Sequence, residues 1–111
     1  MTDFSKYDVV VVKFPFASSL KHKARPAVVL SSNYYNQNSR NTLLIMAISS
    51  KIDSKLGIEP EVTQWKEAGL LKPSLLKSAV ATIEKEFVIT KLGSLQSGDR
   101  EVLDQFVERI C

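Results

Sequence analysis

The order of hydrophobic patterns along the chain predicts a mainly β, α+β protein: a small antiparallel barrel with a C-terminal amphipathic helix packed on it. Short β-branched and apolar runs come first, punctuated by proline, glycine and asparagine, and a helical period of apolar residues comes only at the end. The 111 residues, 44 % hydrophobic and 24 % charged, suit one domain over 1–111 with one core and no long disordered tract.

Taken in order, Asp8–Phe16 (DVVVVKFPF) is a β-branched strand closed by a proline. Arg25–Ser31 (RPAVVLS) is a second strand, which Pro26 confines to a sheet edge or a strand start because proline donates no backbone hydrogen bond. Ala17–Ala24 between them is a small polar and basic loop. Asn33–Arg40, rich in Asn, Gln and Ser, reads as a turn of helix followed by a loop. Asn41–Ser49 (NTLLIMAIS) is a third strand, apolar enough to be buried on both faces. Ile58–Val62 is a short strand, at an edge because of Pro60, and Trp65–Pro73 is a connection. Ser74–Ile83 and Phe87–Leu92 are further strands. In the last segment Ser97 reads as the N-cap and Asp99 complements the helix dipole, while Val102, Leu103, Phe106, Val107 and Ile110 share one face.

Composition removes several classes of function. The longest uncharged apolar run, Leu43–Ile48, is far short of the ~20 residues of a membrane span. Met1–Tyr7 carries Asp3 and Lys6 and lacks the apolar stretch of a signal peptide, so a cytoplasmic protein without a membrane is expected. One cysteine, Cys111, and one histidine, His22, exclude an internal disulfide framework and the usual zinc constellations, and no metal or cofactor is expected. The net charge of +3 is unevenly placed: residues 1–55 carry +5 and residues 56–111 carry −2. Lys13, Lys21, His22, Lys23 and Arg25 lie close in sequence, a cluster that suits a phosphate-rich partner.

The motif inventory is short. Neither a GxGxxG or GxxxxGK loop, nor HExxH, CxxC or GxSxG, is present. Glu84 and Glu86 read as a solvated pair, and Trp65, Tyr34 and Tyr35 as stacking candidates of which two are packing residues. What remains is RPAVVLSS at Arg25–Ser32, with Phe14–Phe16 before it and Ala47–Ser50 after it. Arginine before proline at the head of a strand is a cation on a stiff platform, and its planar fork matches two phosphate oxygens. Ser49, ending the third strand, can offer a hydroxyl beside it. The same residues also admit a structural reading, in which Arg25 pairs with Asp8 or caps a barrel rim and Ser49 satisfies a strand end.

The stretch DVVVVKFPFASSLKHKARPAVVLSS resembles the opening of the MazF/PemK-family toxins. AISSK at Ala47–Lys51, GLLKPSLLK at Gly69–Lys77 and TIEKEFVITKLGSL at Thr82–Leu95 are similar to later blocks of that family, in the same order. The resemblance implies an SH3-like barrel with short helices, forming a homodimer. It implies a metal-independent endoribonuclease that cuts single-stranded RNA, usually mRNA, and is neutralised by a cognate antitoxin, with operator DNA bound only by the toxin–antitoxin complex. An antitoxin with an acidic, partly disordered segment would suit the positive half of the chain. Carried over by position, the family's transition-state arginine falls on Arg25 and its catalytic hydroxyl on Ser49, with Ser50 as alternate. Pro26 then orients Arg25, and Ala17–Ala24 forms a lid over RNA. Tyr7 stands where the family usually has glycine, Ser49 where threonine is common, and the loop SSLKHKA lacks the family's Glu-Gln pair.

Cleavage of this kind asks little of a protein, since the 2′-hydroxyl of RNA is already beside the phosphorus it attacks. Arg25 would stabilise charge on the phosphorane, with Ser49 as a second donor. His22, with the only side-chain pKa ordinarily near 7, is a candidate for proton transfer. Lys13, Lys21, Lys23, Ser50 and Lys51 are candidate contacts to the RNA. Two other readings use the same features: a non-catalytic toxin of the same barrel that binds a protein such as gyrase, and an adaptor that holds nucleic acid by charge alone.

Overall fold

The computed structural model describes residues 4–13, 24–50 and 57–111. Six strands, β1 (Asp8–Lys13), β2 (Ala24–Val29), β3 (Thr42–Ser49), β4 (Glu61–Val62), β5 (Ser74–Glu84) and β6 (Val88–Ser94), form one antiparallel sheet in the order β4-β5-β3-β2-β1-β6. The sheet is curled into a half-barrel. Helix α1 (Asn33–Asn38) links β2 to β3, a 3-10 turn at Lys85–Phe87 links β5 to β6, and α2 (Ser97–Ile110) ends the chain. No helix among the described residues is long and apolar enough to cross a membrane.

Two buried clusters divide the sheet by the alternation of its strands. Val9, Val28 and Met46 stand in one row across β1, β2 and β3 and pack with Leu103 and Phe106 of α2. Val10, Val12, Ala27, Val29, Leu43, Ile45 and Ile83 form the second cluster with Phe4. This accounts for the apolar continuity of the third strand, whose residues serve both clusters. Each fully buried leucine or phenylalanine contributes about 1.5–3 kcal/mol of transfer free energy.

The β2–β3 connection is fixed by polar groups at the end of the sheet remote from Arg25. Buried Asn36 donates from Nδ2 to the carbonyls of Phe4 (3.0 Å) and Ser31 (3.2 Å), and its Oδ1 accepts from the Ser31 hydroxyl. Ser31 Oγ in turn accepts from Leu44 N at 3.1 Å, and Leu30 N donates to Leu44 O at 2.8 Å. Ser31 thus lies in the turn rather than in β2. The Pro26 constraint resolves as a strand start, because the ladder to β3 begins only at Ala27.

Three local expectations change. The N-cap of α2 is Gln96, not Ser97, and Gln96 makes no side-chain capping bond. Asp99 does occupy the first turn, but it is buried and spends its carboxylate on the chain after β4. It accepts from Thr63 N (3.0 Å), Thr63 Oγ1 (2.8 Å) and Gln64 N (2.9 Å), which ties helix to sheet. The predicted strand at Ile58–Val62 shortens to Glu61–Val62 because Pro60 interrupts it, although Pro60 O still accepts from Leu76 N at 2.9 Å. Buried Glu59 pairs with Lys77 at 2.9 Å and accepts from Ser78 N at 3.1 Å, continuing the attachment to β5.

The connection from β4 to β5 crosses to the opposite edge strand, β6. A Cβ on Gly69 (φ +93) would stand 2.4 Å from Leu92 O, and one on Gly93 would stand 2.6 Å from Ala68 O. Two glycines therefore let two backbones touch where any side chain would force them apart. Tyr7, entering β1, has φ 77, a left-handed conformation that costs a non-glycine residue about 1–2 kcal/mol. Its N donates to Val29 O (2.9 Å), its carbonyl accepts from Leu95 N (2.9 Å), and its hydroxyl donates to the Asp104 carboxylate of α2 at 2.8–2.9 Å. The Arg100 guanidinium lies 5.0 Å from the ring centre.

Burial, and then the bond to Asp104, push the Tyr7 hydroxyl pKa upward. With the folded value raised, this contribution is complete below about pH 10 and is lost as pH climbs through the folded value. Tyr7→Phe is expected to cost about 0.5–1 kcal/mol at neutral pH and to flatten the alkaline fall in stability, read by urea unfolding at several pH values; parallel curves for the two proteins would contradict this. Gly69→Ala is expected to lower stability by roughly 1–3 kcal/mol, measured in the same way, because both φ and the Leu92 carbonyl oppose it.

Candidate functional site

A cleft of about 600 Å³ opens at the end of the sheet where β2 begins and β3 ends. Its floor is Val11 of β1, Arg25 and Pro26 of β2, and Ile48 and Ser49 of β3, with Ser50 beyond. Its other wall is the β4–β5 connection, Gly69 to Lys72, with Ser74 and Leu92. The volume falls within the ~300–1,000 Å³ typical of ligand sites.

Antiparallel register brings the two principal residues of the floor together. Ala27 pairs with Ala47, Val28 with Met46 and Val29 with Ile45. The ladder stops there, and Arg25 and Ser49, each two residues past its last pair, line the cleft together with Pro26 and Ile48. On the other side, Arg25 pairs with Val12 and Pro26 with Val11 of β1. Arg25 is exposed and Pro26 and Ser49 are half-buried, so the guanidinium stands in solvent at the mouth on a strand held from β1.

The structural pairing of Arg25 with Asp8 does not occur. Asp8, buried, accepts from Ser5 N at 2.8 Å and pairs with Lys91 at 3.2 Å, and Arg25 makes no ion pair among the described residues. Among the described residues no carboxylate lines the cleft, and the charged ones that do are Arg25 and Lys72, both cationic, which favours an anion.

The remaining candidates are placed unevenly. Ser50 lines the cleft, whereas Lys13 is exposed at the end of β1 beside Ala24, which does line it. Lys21, His22, Lys23 and Lys51 lie outside the described residues, as do Phe14–Phe16 and all of the Ala17–Ala24 loop except Ala24. Glu84 ends β5 and Glu86 lies in the 3-10 turn after it, and neither lines the cleft; the Glu84 carboxyl pKa is raised by its hydrogen bond to Glu86 and by that neighbour's charge. Tyr34 is exposed on α1, Tyr35 bonds Thr42 Oγ1 at 3.0 Å and Trp65 packs on the core, and none of them lines the cleft.

Sequence reasoning placed Leu71 and Lys72 in the Trp65–Pro73 connection and in the GLLKPSLLK block but gave neither a role in the site. The available signal was GLLKP itself, in which Leu70 is buried and Leu71, next to it, is 92 % exposed. Among the described residues no group of three or more His, Cys, Asp or Glu side chains is placed to hold a metal ion.

Comparison with known proteins agrees with this architecture. No curated protein matches the sequence. Among solved structures, the chain is similar to an endoribonuclease in complex with its cognate antitoxin from Mycobacterial species, at 12 % identity and TM-score 0.72, covering 96 % of this chain and 91 % of that one. It is similar to Mycobacterium tuberculosis toxin MazF-mt6, at 18 % identity and TM-score 0.71, covering 92 % and 93 %. It is also similar to a MazE-MazF structure from Deinococcus radiodurans, at 16 % identity and TM-score 0.73, covering 98 % and 93 %. At these identities the likeness is one of fold. A family model described as the PemK-like, MazF-like toxin of type II toxin-antitoxin systems matches residues 5–111. The chain therefore belongs to the PemK-like, MazF-like toxins of type II toxin-antitoxin systems.

Proposed function

We propose that this toxin is a metal-independent, sequence-specific endoribonuclease that cuts single-stranded RNA, mRNA above all, by attack of the 2′-hydroxyl, leaving a cyclic phosphate and a 5′-hydroxyl. The observation that carries the reading is that Arg25 and Ser49, each two residues beyond the last β2–β3 pair, line one cleft to which the described residues contribute no carboxylate. Solved structures of the same fold are described as endoribonucleases and as complexes with a cognate antitoxin, and they support both the reaction and the partner.

The substrate carries its own nucleophile, so the protein has to align the backbone and neutralise the charge that develops on phosphorus. The Arg25 guanidinium presents two parallel N–H donors to the non-bridging oxygens, and its proline neighbour limits how far the strand start can swing. The Ser49 hydroxyl is a second donor, and Ser50 is the alternate. Ser50 and Lys13 contact the RNA backbone near the cleft, and Lys21, Lys23 and Lys51 extend that contact. An arginine is a poor base at neutral pH, so proton transfer falls to His22 or to solvent. The whole chain, 1–111, works as one toxin domain within a cytoplasmic homodimer. An antitoxin neutralises it, and only the toxin–antitoxin complex engages operator DNA.

Incubation with labelled RNA in EDTA is expected to give cleavage products ending in a cyclic phosphate, and a 2′-deoxyribose at the scissile position is expected to block the cut. Arg25→Ala should fold and bind RNA yet lose cleavage by ~100-fold or more, as when a preorganised charged donor is removed. Arg25→Lys should rescue poorly, because the charge without the fork is not enough. Ser49→Ala should cost roughly tenfold to a hundredfold. Full activity of folded Arg25→Ala would refute the mechanism.

A further inference from the structure

We propose that Leu71 and Lys72 form a second subsite facing Arg25, in which Leu71 supports the base next to the cleaved phosphate and Lys72 holds the adjoining phosphate. The inference rests on the endoribonuclease reading, and it assigns the wall of the cleft that the reaction itself does not use.

The turn carrying these residues is built rigidly. Ala68 N donates to Gln64 O (3.1 Å), Gly69 N to Lys66 O (3.0 Å) and Leu70 N to Trp65 O (2.9 Å). Past it, the Ser74 hydroxyl donates to the carbonyl of Lys72 at 2.8 Å, and Pro73 between them has a fixed φ. Gly69 seats the whole turn on the backbone of Leu92. Side chains on such a support meet a ligand with little ordering cost.

Folding does not explain what the turn presents. Leu70 is buried, but Leu71 is 92 % exposed and Leu92, on the same cleft, is 38 % exposed. Lys72 makes no ion pair among the described residues. Two apolar side chains and a cation therefore face a cleft whose opposite wall is Arg25. Arg25 comes from β2 and Lys72 from the β4–β5 connection, so two cations line one cleft from different segments, an arrangement that suits successive phosphates of one strand.

The chemistry of the wall also limits what it can read. Among the described residues no aromatic ring, carboxylate or side-chain amide lines the cleft. A base against Leu71 is held by apolar contact with its face, which every base offers. This position of the RNA is required to carry a base but is weakly discriminating, and the sequence preference comes from other positions.

The test is fluorescence anisotropy with short 2′-O-methyl oligonucleotides, which bind but lack the nucleophile. They span a site mapped on a long RNA or, if none is cut, are the four homopolymers. For Lys72→Gln, the plot of log affinity against log salt should become shallower by about 0.7, the value for one lost single-strand phosphate contact. Leu71→Ser should leave that slope intact and weaken binding about fivefold, below the range of an aromatic platform. An abasic residue on one side of the scissile phosphate should weaken wild-type binding by a similar factor and add nothing further in Leu71→Ser. An unchanged slope in Lys72→Gln, an abasic penalty equally large in Leu71→Ser, or no RNA binding by the wild type overturns the subsite. RNA cleaved with those variant effects absent leaves the nuclease reading standing without the subsite. The variant effects present in a protein that cuts no RNA leave the subsite standing without the nuclease.

Discussion

The pairing register between β2 and β3 is the constraint on which the site depends. Side chains in a strand alternate between faces, so a slip of one residue would move Arg25 and Pro26 to the wrong sides and take Arg25 away from Ser49. The slip is opposed at both ends of the pair. Near the cleft, Val28 and Met46 are locked in one row with Val9 beneath α2, and a shift would expose that row. At the remote end the Asn36–Ser31 network holds Leu44 N and the carbonyls of Phe4 and Ser31. Breaking it would leave several buried polar groups unpaired, at roughly 1–3 kcal/mol each. A polar network far from the cleft thus sets the geometry within it.

Closure of the half-barrel supplies the second wall. The sheet ends in β4 on one side and β6 on the other, and no ladder joins them. The chain between β4 and β5 spans that gap, anchored by Asp99 at Thr63 and Gln64 and by the two glycine contacts at Leu92 and Gly93. Because the crossing needs backbone against backbone, the turn stands close enough to the start of β2 for one cleft to have walls from both.

Much of this was legible in the sequence because it follows from periodicity. The valines of β1 and β2, the two-sided β3 and the apolar face of α2 announce themselves by spacing, and Arg-Pro before a β-branched run marks a cation at a strand start. What stayed hidden depended on contacts distant in sequence. Asp99 looks like a dipole partner until Thr63 and Gln64 are brought to it. Tyr7 looks like a departure from the family's glycine until its positive φ is seen to be held by Val29, Leu95 and Asp104. Leu71 and Lys72 look like a connection because nothing local says that the turn lands on β6. The N-cap moved by one residue because serine is the better capping side chain, while the backbone begins the helix at Ser97 itself with Gln96 outside it.

The central claim is that Arg25 and Ser49 act on one phosphate because one register places them there. A double-mutant cycle tests it most directly: single-turnover cleavage of one RNA by the wild type, Arg25→Ala, Ser49→Ala and the double variant. Two donors to one phosphorane should be coupled, so the double variant should be only slightly slower than Arg25→Ala alone. Losses that multiply, with the double variant slower by the product of the two single effects, would show that the residues act independently and would contradict the account.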